Sequence, residues 1–315
     1  MSEKVLRAAV VGVGHLGRHH ARILSSVEGA RLEAVVDVNE PRAREIAAGT
    51  GTRALTSARD LLGRVDLVSI ATPTETHAEI ATLFLDHGIP VLVEKPLARS
   101  VAEADAIIAA ATRSGAALAV GHTERFNPAV MAARPAVDNP GFIEVHRLGT
   151  FPERSLDIDV VFDLMIHDLD LVLSIVQSEI ESIEAVGVPV LTDRFDIANA
   201  RLRFASGCVA NITASRISRD RTRKIRFFQR DAYISIDTGA KEAEVYRLVR
   251  SDGRRPAIEG GKIPVPDGEP LRNELQDFVD AVRFGRAPLV GGEDGRRAVA
   301  LAAAITERMA ACTRT

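Results

Sequence analysis

The first 120 residues alternate short apolar runs with longer stretches of helical periodicity. This order is typical of a parallel sheet covered by helices on both faces, because parallel strands need long crossover connections and are buried on both sides. Ser100 followed by Glu103 predicts a capping box, and Gly88 and Gly115 predict helix ends. The predicted strands are Arg7 to Val11, Leu32 to Val36, Leu67 to Ile70, Val91 to Val93 and Ala117 to Val120. We therefore predict an α/β domain with a doubly wound parallel sheet.

The pattern changes beyond Gly121. One very apolar helical segment, Phe162 to Val176, precedes closely spaced runs of strand character, and Ser206-Gly207 between two runs is typical of a hairpin turn. The runs are Ile180 to Val188, Ile197 to Phe204, Cys208 to Ser215, Arg223 to Phe228, Tyr233 to Asp237 and Glu244 to Val249. The remaining elements are a polar loop, Ser251 to Pro270, and two closing helices, Glu269 to Arg283 and Asp294 to Ala311. We predict two domains: residues 1–121, and an α+β domain with an open antiparallel sheet over 122–315.

Composition argues against several classes of protein. The 315 residues carry 40 basic and 43 acidic side chains, and the net charge of −3 lacks the positive field that nucleic-acid binding requires. No apolar run is long enough to cross a bilayer, and the N-terminus lacks a signal-peptide pattern, so we expect a cytoplasmic protein without a membrane partner. Cys208 and Cys312 lie far apart without metal-ligand spacing, so we expect neither a disulfide nor a zinc site.

A glycine-rich turn follows the first predicted strand and opens a helix. Its sequence is Gly12-Val13-Gly14-His15-Leu16-Gly17. Gly12 permits the tight turn, Gly14 lets the backbone approach a pyrophosphate, and Gly17 allows close helix packing. The helix N-terminus favours phosphate through its free N–H groups and partial positive charge. This context predicts a dinucleotide-binding Rossmann domain rather than glycines that serve turns alone.

The choice between the two nicotinamide cofactors depends on Asp37. It ends the second predicted strand, 20 positions after Gly17. A carboxylate at this position accepts hydrogen bonds from the adenosine ribose and repels the 2′-phosphate of NADP. Arg42 and Arg44 lie a few residues further on and would support NADP instead. We expect NAD, with NADP less favoured.

A polar stripe interrupts the apolar helix of the second domain. Asp163, His167 and Asp170 are spaced i, i+4 and i+7, so they share one helix face. Burying this stripe without partners is costly, and a substrate cleft, in which Asp163 orients His167, removes that cost. Two alternatives are a capping Asp163 with a core histidine, and a divalent metal held by the three side chains. Lys95, if it shares the site, disfavours a metal because it already supplies positive charge.

Two further segments lie at carboxyl ends of predicted parallel strands, where α/β proteins bind ligands. They are Ala71-Thr72-Pro73-Thr74 and Glu94-Lys95-Pro96. The other segments that carry a resemblance are the glycine-rich turn, Gly121 to Phe126, Asp163-x-x-x-His167, and the closing helix with Glu274, Leu275 and Phe278. In combination they make nearly the whole chain resemble the glucose-fructose oxidoreductase and inositol dehydrogenase (Gfo/Idh/MocA) family.

The resemblance implies an NAD-dependent dehydrogenase that oxidises a sugar hydroxyl to a ketone. It implies that Lys95 lies beside nicotinamide and substrate, and that Asp163 and His167 complete the catalytic site. The expected cofactor-binding residues are Gly12, Gly14, His15, Leu16, Gly17, Asp37, Thr72, Pro73, Thr74, His77, Glu94 and Lys95. His167 accepts the hydroxyl proton in this scheme and Lys95 stabilises the developing alkoxide, although the two side chains could exchange the base role.

Two segments resemble most the branch of the family that acts on UDP-N-acetylglucosamine. They are Gly121 to Pro128 and Asp157 to Asp168. The substrate-binding residues expected are Lys95, Arg125, Asn127, Asp163, His167 and Arg216. Many family members have glycines immediately before the catalytic aspartate, where this chain has Val160, Val161 and Phe162, which predicts a different route of substrate entry.

A UDP-sugar substrate would need cationic side chains for its diphosphate. The run that suits this need is Arg216, Arg219, Arg221, Arg223, Lys224 and Arg226. Arg216 is the strongest candidate because it lies at the end of a predicted strand, directly after Ser215 and before the turn expected around Asp220. The alternative is a solvated strand face or a charged edge that resists aggregation.

Other functions remain open. An inositol or free-sugar dehydrogenase would keep the same catalytic residues without a diphosphate pocket. A non-catalytic NAD-sensing protein would keep the glycines and could lack Lys95 and His167, whose presence disfavours it. The open sheet face needs covering, which predicts a homodimer or homotetramer.

Overall fold

The structure, a computed structural model, describes residues 5–151, 158–250 and 255–312. The elements of its first part are β1 (Leu6–Val11), α1 (Gly17–Leu24), β2 (Ala30–Val36), α2 (Glu40–Thr50), β3 (Arg53–Leu55), β4 (Leu67–Ile70), α3 (His77–Leu85), β5 (Val91–Glu94), α4 (Val101–Ser114) and β6 (Leu118–Gly121). The five predicted strands are all present, and their bounds differ from the predicted ones by two residues at most. β3 was not predicted, because a three-residue strand is too short to show a periodic pattern.

These six strands form one parallel sheet. Their order is β3-β2-β1-β4-β5-β6. The order reverses between β1 and β4, so the connections leave these strands on opposite sides and a crevice opens at their carboxyl ends. The doubly wound sheet is therefore confirmed, and its switch point lies beside the glycine-rich turn.

The predicted ends of α4 are confirmed with one change. Ser100 accepts a hydrogen bond of 3.2 Å from the Glu103 N–H at the first turn. The Glu103 carboxylate accepts the Arg99 N–H at 3.1 Å, one residue before the predicted partner. Gly115 ends the helix in the left-handed region, with φ of 71°.

The second part of the chain contains an eight-stranded sheet. Its elements are α5 (Pro128–Ala133), β7 (Phe142–Leu148), a π-helical turn (Val161–Met165), α6 (Ile166–Ile175), β8 (Ile180–Val188), β9 (Ile197–Phe204), β10 (Val209–Ser215), β11 (Thr222–Gln229), β12 (Ala232–Asp237), β13 (Glu242–Val249) and β14 (Ala257–Lys262). The strand order is β14-β13-β12-β11-β7-β10-β9-β8. The six predicted strands and the predicted helix are confirmed, and the first turn of that helix is π-helical rather than α-helical.

Two strands of this sheet correct the prediction. β7 lies at its centre, antiparallel to β11 but parallel to β10, so the sheet is mixed at this one pair. β14 lies within the predicted loop over Ser251 to Pro270, of which residues 251–254 are outside the described residues. β14 contains Gly260 and Gly261 and has no apolar alternation, so backbone pairing with β13 defines it. By contrast, Ile143 and Val145 of β7 are a periodic signal that the prediction missed.

Two helices, α7 (Pro270–Phe284) and α8 (Gly292–Cys312), close the chain. Contacts divide the protein into two compact units, residues 1–123 with 269–299 and residues 124–268 with 300–315. The first unit therefore also contains α7, from the C-terminal part of the chain. Leu275, Phe278 and Val279 enter the core that β1 and α1 build. The apolar face of a helix predicts burial without specifying which core it joins.

Within the described residues, no helix is both long and apolar enough to cross a membrane. Cys208 is a buried free cysteine. Burial raises the pKa of its thiol to about 11, which keeps the side chain neutral and unreactive at physiological pH.

Candidate active site

The glycine-rich turn of the first unit has the geometry that a bound dinucleotide requires. Gly12 has a φ of 84°, and a Cβ added there would lie 2.8 Å from the backbone of Ala71. A Cβ on Gly17 would collide with the Gly12 carbonyl oxygen, so the close approach of α1 requires glycine. A Cβ on Gly14 would meet nothing within 4 Å, which leaves space for a ligand at the backbone.

Asp37 follows β2 and holds this turn in place. Its Oδ2 accepts the Val13 N–H at 3.0 Å and its Oδ1 accepts the Asn39 N–H at 2.8 Å. The Arg42 guanidinium lies 3.7 Å from Oδ2. Arg44 forms an ion pair with Glu40 instead. Asp37 therefore combines a structural function with the position predicted for ribose binding.

His77 lies at the start of α3 and is 1% exposed. Its Nδ1 lies 3.0 Å from the Pro96 carbonyl oxygen, and its Nε2 lies 2.9 Å from the Thr72 carbonyl oxygen. These contacts leave no ring nitrogen for a ligand, so the predicted cofactor contact through the imidazole is wrong. The ring instead joins the loop after β4 to the loop after β5.

Glu94 ends β5 and is also buried. Its Oε1 lies 2.9 Å from His20 Nε2, and His20 Nδ1 lies 2.8 Å from the Ser69 hydroxyl oxygen. Its Oε2 accepts the Lys95 N–H at 3.1 Å. Burial alone raises the pKa of Glu94, but the hydrogen bond with His20 and the neighbouring Lys95 outweigh it and lower the pKa. Glu94 is a carboxylate that supports Lys95 from inside the protein.

His20 and Ser69, which sequence reasoning missed, form a buried chain of contacts with the predicted site residue Glu94. His20 lies three positions after Gly17, on the buried face of α1. A histidine at this position is a detectable signal, but its partners lie 49 and 74 positions away in the chain. Only the packing of α1 on the sheet brings them together.

In the second unit, Asp163 lies within the π-helical turn and His167 in the first turn of α6. Both side chains are half-buried. A π-helical turn adds a residue to the helical repeat and commonly occurs at functional sites. The predicted i, i+4, i+7 stripe is therefore not built on a uniform α-helix.

Two ion pairs hold the acidic residues that follow His167. Arg147 donates to both oxygens of Asp168, at 2.7 and 2.8 Å, and to Glu124 at 3.0 Å. Burial alone lowers the pKa of Arg147, but these two carboxylates outweigh it and raise the pKa well above the ordinary value. Arg125 pairs with Asp170 at 3.1 Å. Asp170, the third member of the predicted stripe, therefore forms an ion pair within its own unit. Across the described residues, no group of three or more His, Cys, Asp and Glu side chains is arranged to hold a metal ion.

Asn127, predicted to bind substrate, has a structural role. Its Oδ1 accepts the Ala129 N–H at 3.1 Å and caps α5. Its Nδ2 donates to the Thr238 carbonyl oxygen at 3.0 Å and to Glu124 at 3.3 Å. The residue is 3% exposed, so the predicted contact between this amide and the substrate is wrong.

Arg216, predicted to bind a diphosphate, is 1% exposed. Its guanidinium donates to Asp196 at 2.9 Å, to the Ile158 carbonyl oxygen at 2.7 Å and to the Thr192 hydroxyl at 3.1 Å. A buried guanidinium neutralised by a carboxylate is not available to phosphate, so this prediction is also wrong.

Much of the remaining cationic run is paired as well. Arg226 donates to Glu144 at 2.6 Å, and Lys224 lies 3.8 Å from Asp237. Arg219, Arg221 and Arg223 are exposed. The exposed members of the run are thus three arginines.

A glycine-rich turn at the switch point of a doubly wound sheet, with a carboxylate after β2, defines a dinucleotide-binding protein. Residues 6–122 match the oxidoreductase family with an NAD-binding Rossmann fold (Gfo/Idh/MocA). Residues 141–235 match the Gfo/Idh/MocA C-terminal domain. The chain belongs to the Gfo/Idh/MocA family, whose members are NAD-binding oxidoreductases, and the predicted family is confirmed.

Individual relatives align with this chain over nearly its whole length. A UDP-N-acetylglucosamine 3-dehydrogenase from Acidithiobacillus ferrooxidans is 40% identical, covering 97% of each chain. A solved structure of the enzyme of that name from this organism aligns with a TM-score of 0.91 and 38% identity, over 97% of this chain and 98% of that one. An inositol 2-dehydrogenase from Rhizobium meliloti is 29% identical, covering 97% of each chain.

Proposed function

We propose that the protein is a dehydrogenase that uses NAD to oxidise the 3-hydroxyl of UDP-N-acetylglucosamine to a ketone. The observation that carries the proposal is the 40% identity, over 97% of both chains, with a relative that bears this activity in its name. Lys95, Asp163 and His167 of the family pattern are all present. Their presence also disfavours a non-catalytic NAD sensor.

The first unit fits NAD. The space at Gly14 and the N-terminus of α1 suit the pyrophosphate, and Asp37 suits the ribose. When bound, NAD supplies the hydride acceptor. The free 2′-phosphate of NADP would meet the Asp37 carboxylate, and Arg42 already lies 3.7 Å from that carboxylate, so we propose that NAD is preferred. Of the other predicted cofactor-binding residues, we retain His15, Leu16, Thr72, Pro73 and Thr74.

We propose Lys95, Asp163 and His167 as the catalytic residues. His167 accepts the proton of the substrate hydroxyl as the hydrogen on the same carbon leaves as hydride. Asp163 orients the imidazole and stabilises its protonated form. The Lys95 ammonium donates a hydrogen bond to the oxygen as negative charge develops on it, and to the carbonyl oxygen afterwards.

With Arg216 excluded, we propose that the exposed arginines Arg219, Arg221 and Arg223 bind the diphosphate. Guanidinium groups form charge-assisted, often bidentate bonds with phosphate oxygens. Binding energy from this remote part of the substrate can orient the sugar for hydride transfer. The Arg125 guanidinium is paired with Asp170, so we propose that Arg125 contributes to substrate binding only indirectly.

We also propose that the protein is a cytoplasmic homo-oligomer that buries the open face of its eight-stranded sheet. A row of four aromatic side chains crosses this face. The distances between successive ring centroids are 5.5 Å from Phe142 to Phe228, 5.2 Å from Phe228 to Tyr233 and 6.1 Å from Tyr233 to Tyr246. Phe228 is 38% exposed. A ladder of this kind suits a second copy of the same face. Light scattering tests this, and a strict monomer would contradict it.

Formation of NADH with a panel of substrates tests the proposed reaction. The panel contains UDP-N-acetylglucosamine, UDP-glucose, free N-acetylglucosamine, myo-inositol and glucose, each supplied with NAD and separately with NADP. We expect turnover with UDP-N-acetylglucosamine and NAD. Turnover restricted to an inositol, the alternative that the 29% identity to an inositol 2-dehydrogenase supports, would replace this substrate while keeping the dehydrogenase.

A further inference from the structure

The tripeptide Glu94-Lys95-Pro96 is held at both ends by buried histidines from different helices. His20 of α1 contacts the Glu94 carboxylate at 2.9 Å, and His77 of α3 contacts the Pro96 carbonyl oxygen at 3.0 Å. The two rings are 0% and 1% exposed. Lys95 is the residue between these two contacts.

The groups that each histidine ring contacts limit which of its nitrogens can carry a proton. Glu94 is ionised and only accepts, so His20 must donate from Nε2, while its Nδ1 can accept the Ser69 hydroxyl proton. Both contacts of His77 are carbonyl oxygens, which also only accept. Neutral His77 therefore donates to one of them, and doubly protonated His77 donates to both.

Further contacts restrict the same backbone. The second oxygen of Glu94 accepts the Lys95 N–H at 3.1 Å. Gly121 of β6 packs so closely on Glu94 that an added Cβ would lie 3.0 Å from the Glu94 Cα. The backbone at Lys95 is therefore held from α1, α3 and β6 together.

We propose that His20 and His77 are positioning residues that place Lys95 for its reaction. The inference rests on the proposed function, in which the Lys95 ammonium contacts the reacting oxygen. A reacting group must be held within a fraction of an ångström of its productive position, and a long lysine side chain achieves this only from a fixed backbone. The two histidines provide that support from inside the protein.

Asparagine and glutamine can separate the contacts of each ring. The Asn amide nitrogen is as many bonds from Cβ as His Nδ1 is, and the Gln amide nitrogen as many as His Nε2. His20→Gln therefore keeps the Glu94 contact and His20→Asn loses it. At position 77 the assignment reverses, because His77→Asn keeps the Pro96 contact and His77→Gln loses it.

We expect His20→Asn and His77→Gln to lower kcat by roughly tenfold or more, with the Kd for NAD and the KM for the sugar nucleotide within about threefold of wild type. His20→Gln and His77→Asn should keep kcat within about threefold. The reversed order of Asn and Gln at the two positions excludes a general effect of either side chain. His19→Gln on α1 and His87→Gln, two residues after the end of α3, are controls at neighbouring histidines and should turn over like wild type.

Turnover by the Lys95→Ala variant distinguishes a failure of this inference from a failure of the proposed function. If Lys95→Ala turns over normally, the proposed catalytic role fails. If Lys95→Ala is inactive but all four histidine variants retain wild-type kcat, the positioning inference is wrong. It is also wrong if kcat follows thermal stability alone. If His20→Asn does not fold, because Glu94 loses its buried partner, the His77 pair decides the question.

Discussion

Arg147 binds both carboxylate oxygens of Asp168, the residue that directly follows His167. Arg147 is 5% exposed and Asp168 is 1% exposed, so the pair is shielded from solvent. The contact joins the central strand β7 to α6, and it fixes the turn of helix that carries the proposed base.

Loss of this pair should destabilise the second unit strongly. Arg147→Ala leaves Asp168 buried without its cation, and we expect a loss of about 3 to 5 kcal/mol in the free energy of unfolding. Arg147→Lys keeps the charge but not the two parallel bonds, so its loss should be smaller. Urea unfolding measures both. Arg226→Ala, which breaks the partly exposed pair with Glu144 on the neighbouring strand, is the control and should cost within about 1 kcal/mol. Equal losses at Arg147 and Arg226 would contradict the prediction.

Removal of the proposed catalytic groups should affect turnover rather than NAD binding. We expect Lys95→Ala and His167→Ala each to lower kcat by at least about 100-fold, because each removes a group that acts in the transition state. The double variant should lose less than the product of the two single effects if the groups act as a unit. Steady-state kinetics and NADH fluorescence titration give the two readouts. Near-normal turnover in both single variants would remove these residues from the mechanism.

Asp37 should control the choice between NAD and NADP. Asp37→Asn keeps an oxygen for the Val13 N–H but removes the charge that opposes the 2′-phosphate. We expect roughly tenfold weaker NADH binding and tighter NADPH binding, with Arg42 now free to pair with phosphate. Fluorescence titration with both cofactors measures the change. Equal binding of the two cofactors by the wild-type protein would rule out the assigned role.

The exposed arginines should contribute to recognition of the diphosphate. Replacement of Arg219, Arg221 and Arg223 together by Ala should raise the KM for UDP-N-acetylglucosamine by roughly tenfold or more while the Kd for NAD stays unchanged. The increase should be larger at low salt, since exposed charges are screened. Arg230→Ala, at an exposed arginine outside the cluster, is the control. An unchanged KM in the triple variant would place the diphosphate elsewhere.

Asp196 should contribute stability that is lost in acid. Burial alone raises its pKa, but three backbone N–H groups and Arg216 outweigh this and lower the pKa below its ordinary value. The stability it contributes is therefore present above the unfolded-state pKa, about 3.9, and is lost as the pH falls toward the lower folded-state pKa.

Asp196→Asn should be less stable than wild type at pH 7, and the difference should narrow below about pH 4. Urea unfolding as a function of pH measures this. Glu144→Gln, which affects a partly exposed pair, is the control and should change stability little at pH 7. A difference that stays constant from neutral to acid pH would contradict the prediction.

Local pattern determined much of this protein. Apolar runs at strand length, separated by helical periodicity, predicted the doubly wound sheet, because parallel strands need crossover helices. The predictions of the glycine-rich turn and of Asp37 as a ribose-binding residue depended only on their positions directly after two neighbouring strands. Lys95 could be placed at a strand end for the same reason. These inferences need no knowledge of which distant residues meet.

Only the tertiary structure decided which polar side chains have partners inside the protein. Arg216 and Asp196 are 20 positions apart, and nothing local indicates that the cation is buried on that carboxylate rather than open to phosphate. The rings of His20 and His77 are held by residues of other loops, and α7 joins a core built mainly from the other end of the chain. A side chain's type and spacing limit the bonds it can make, but packing at long sequence separation selects the partner and so separates structural residues from those left to bind ligands.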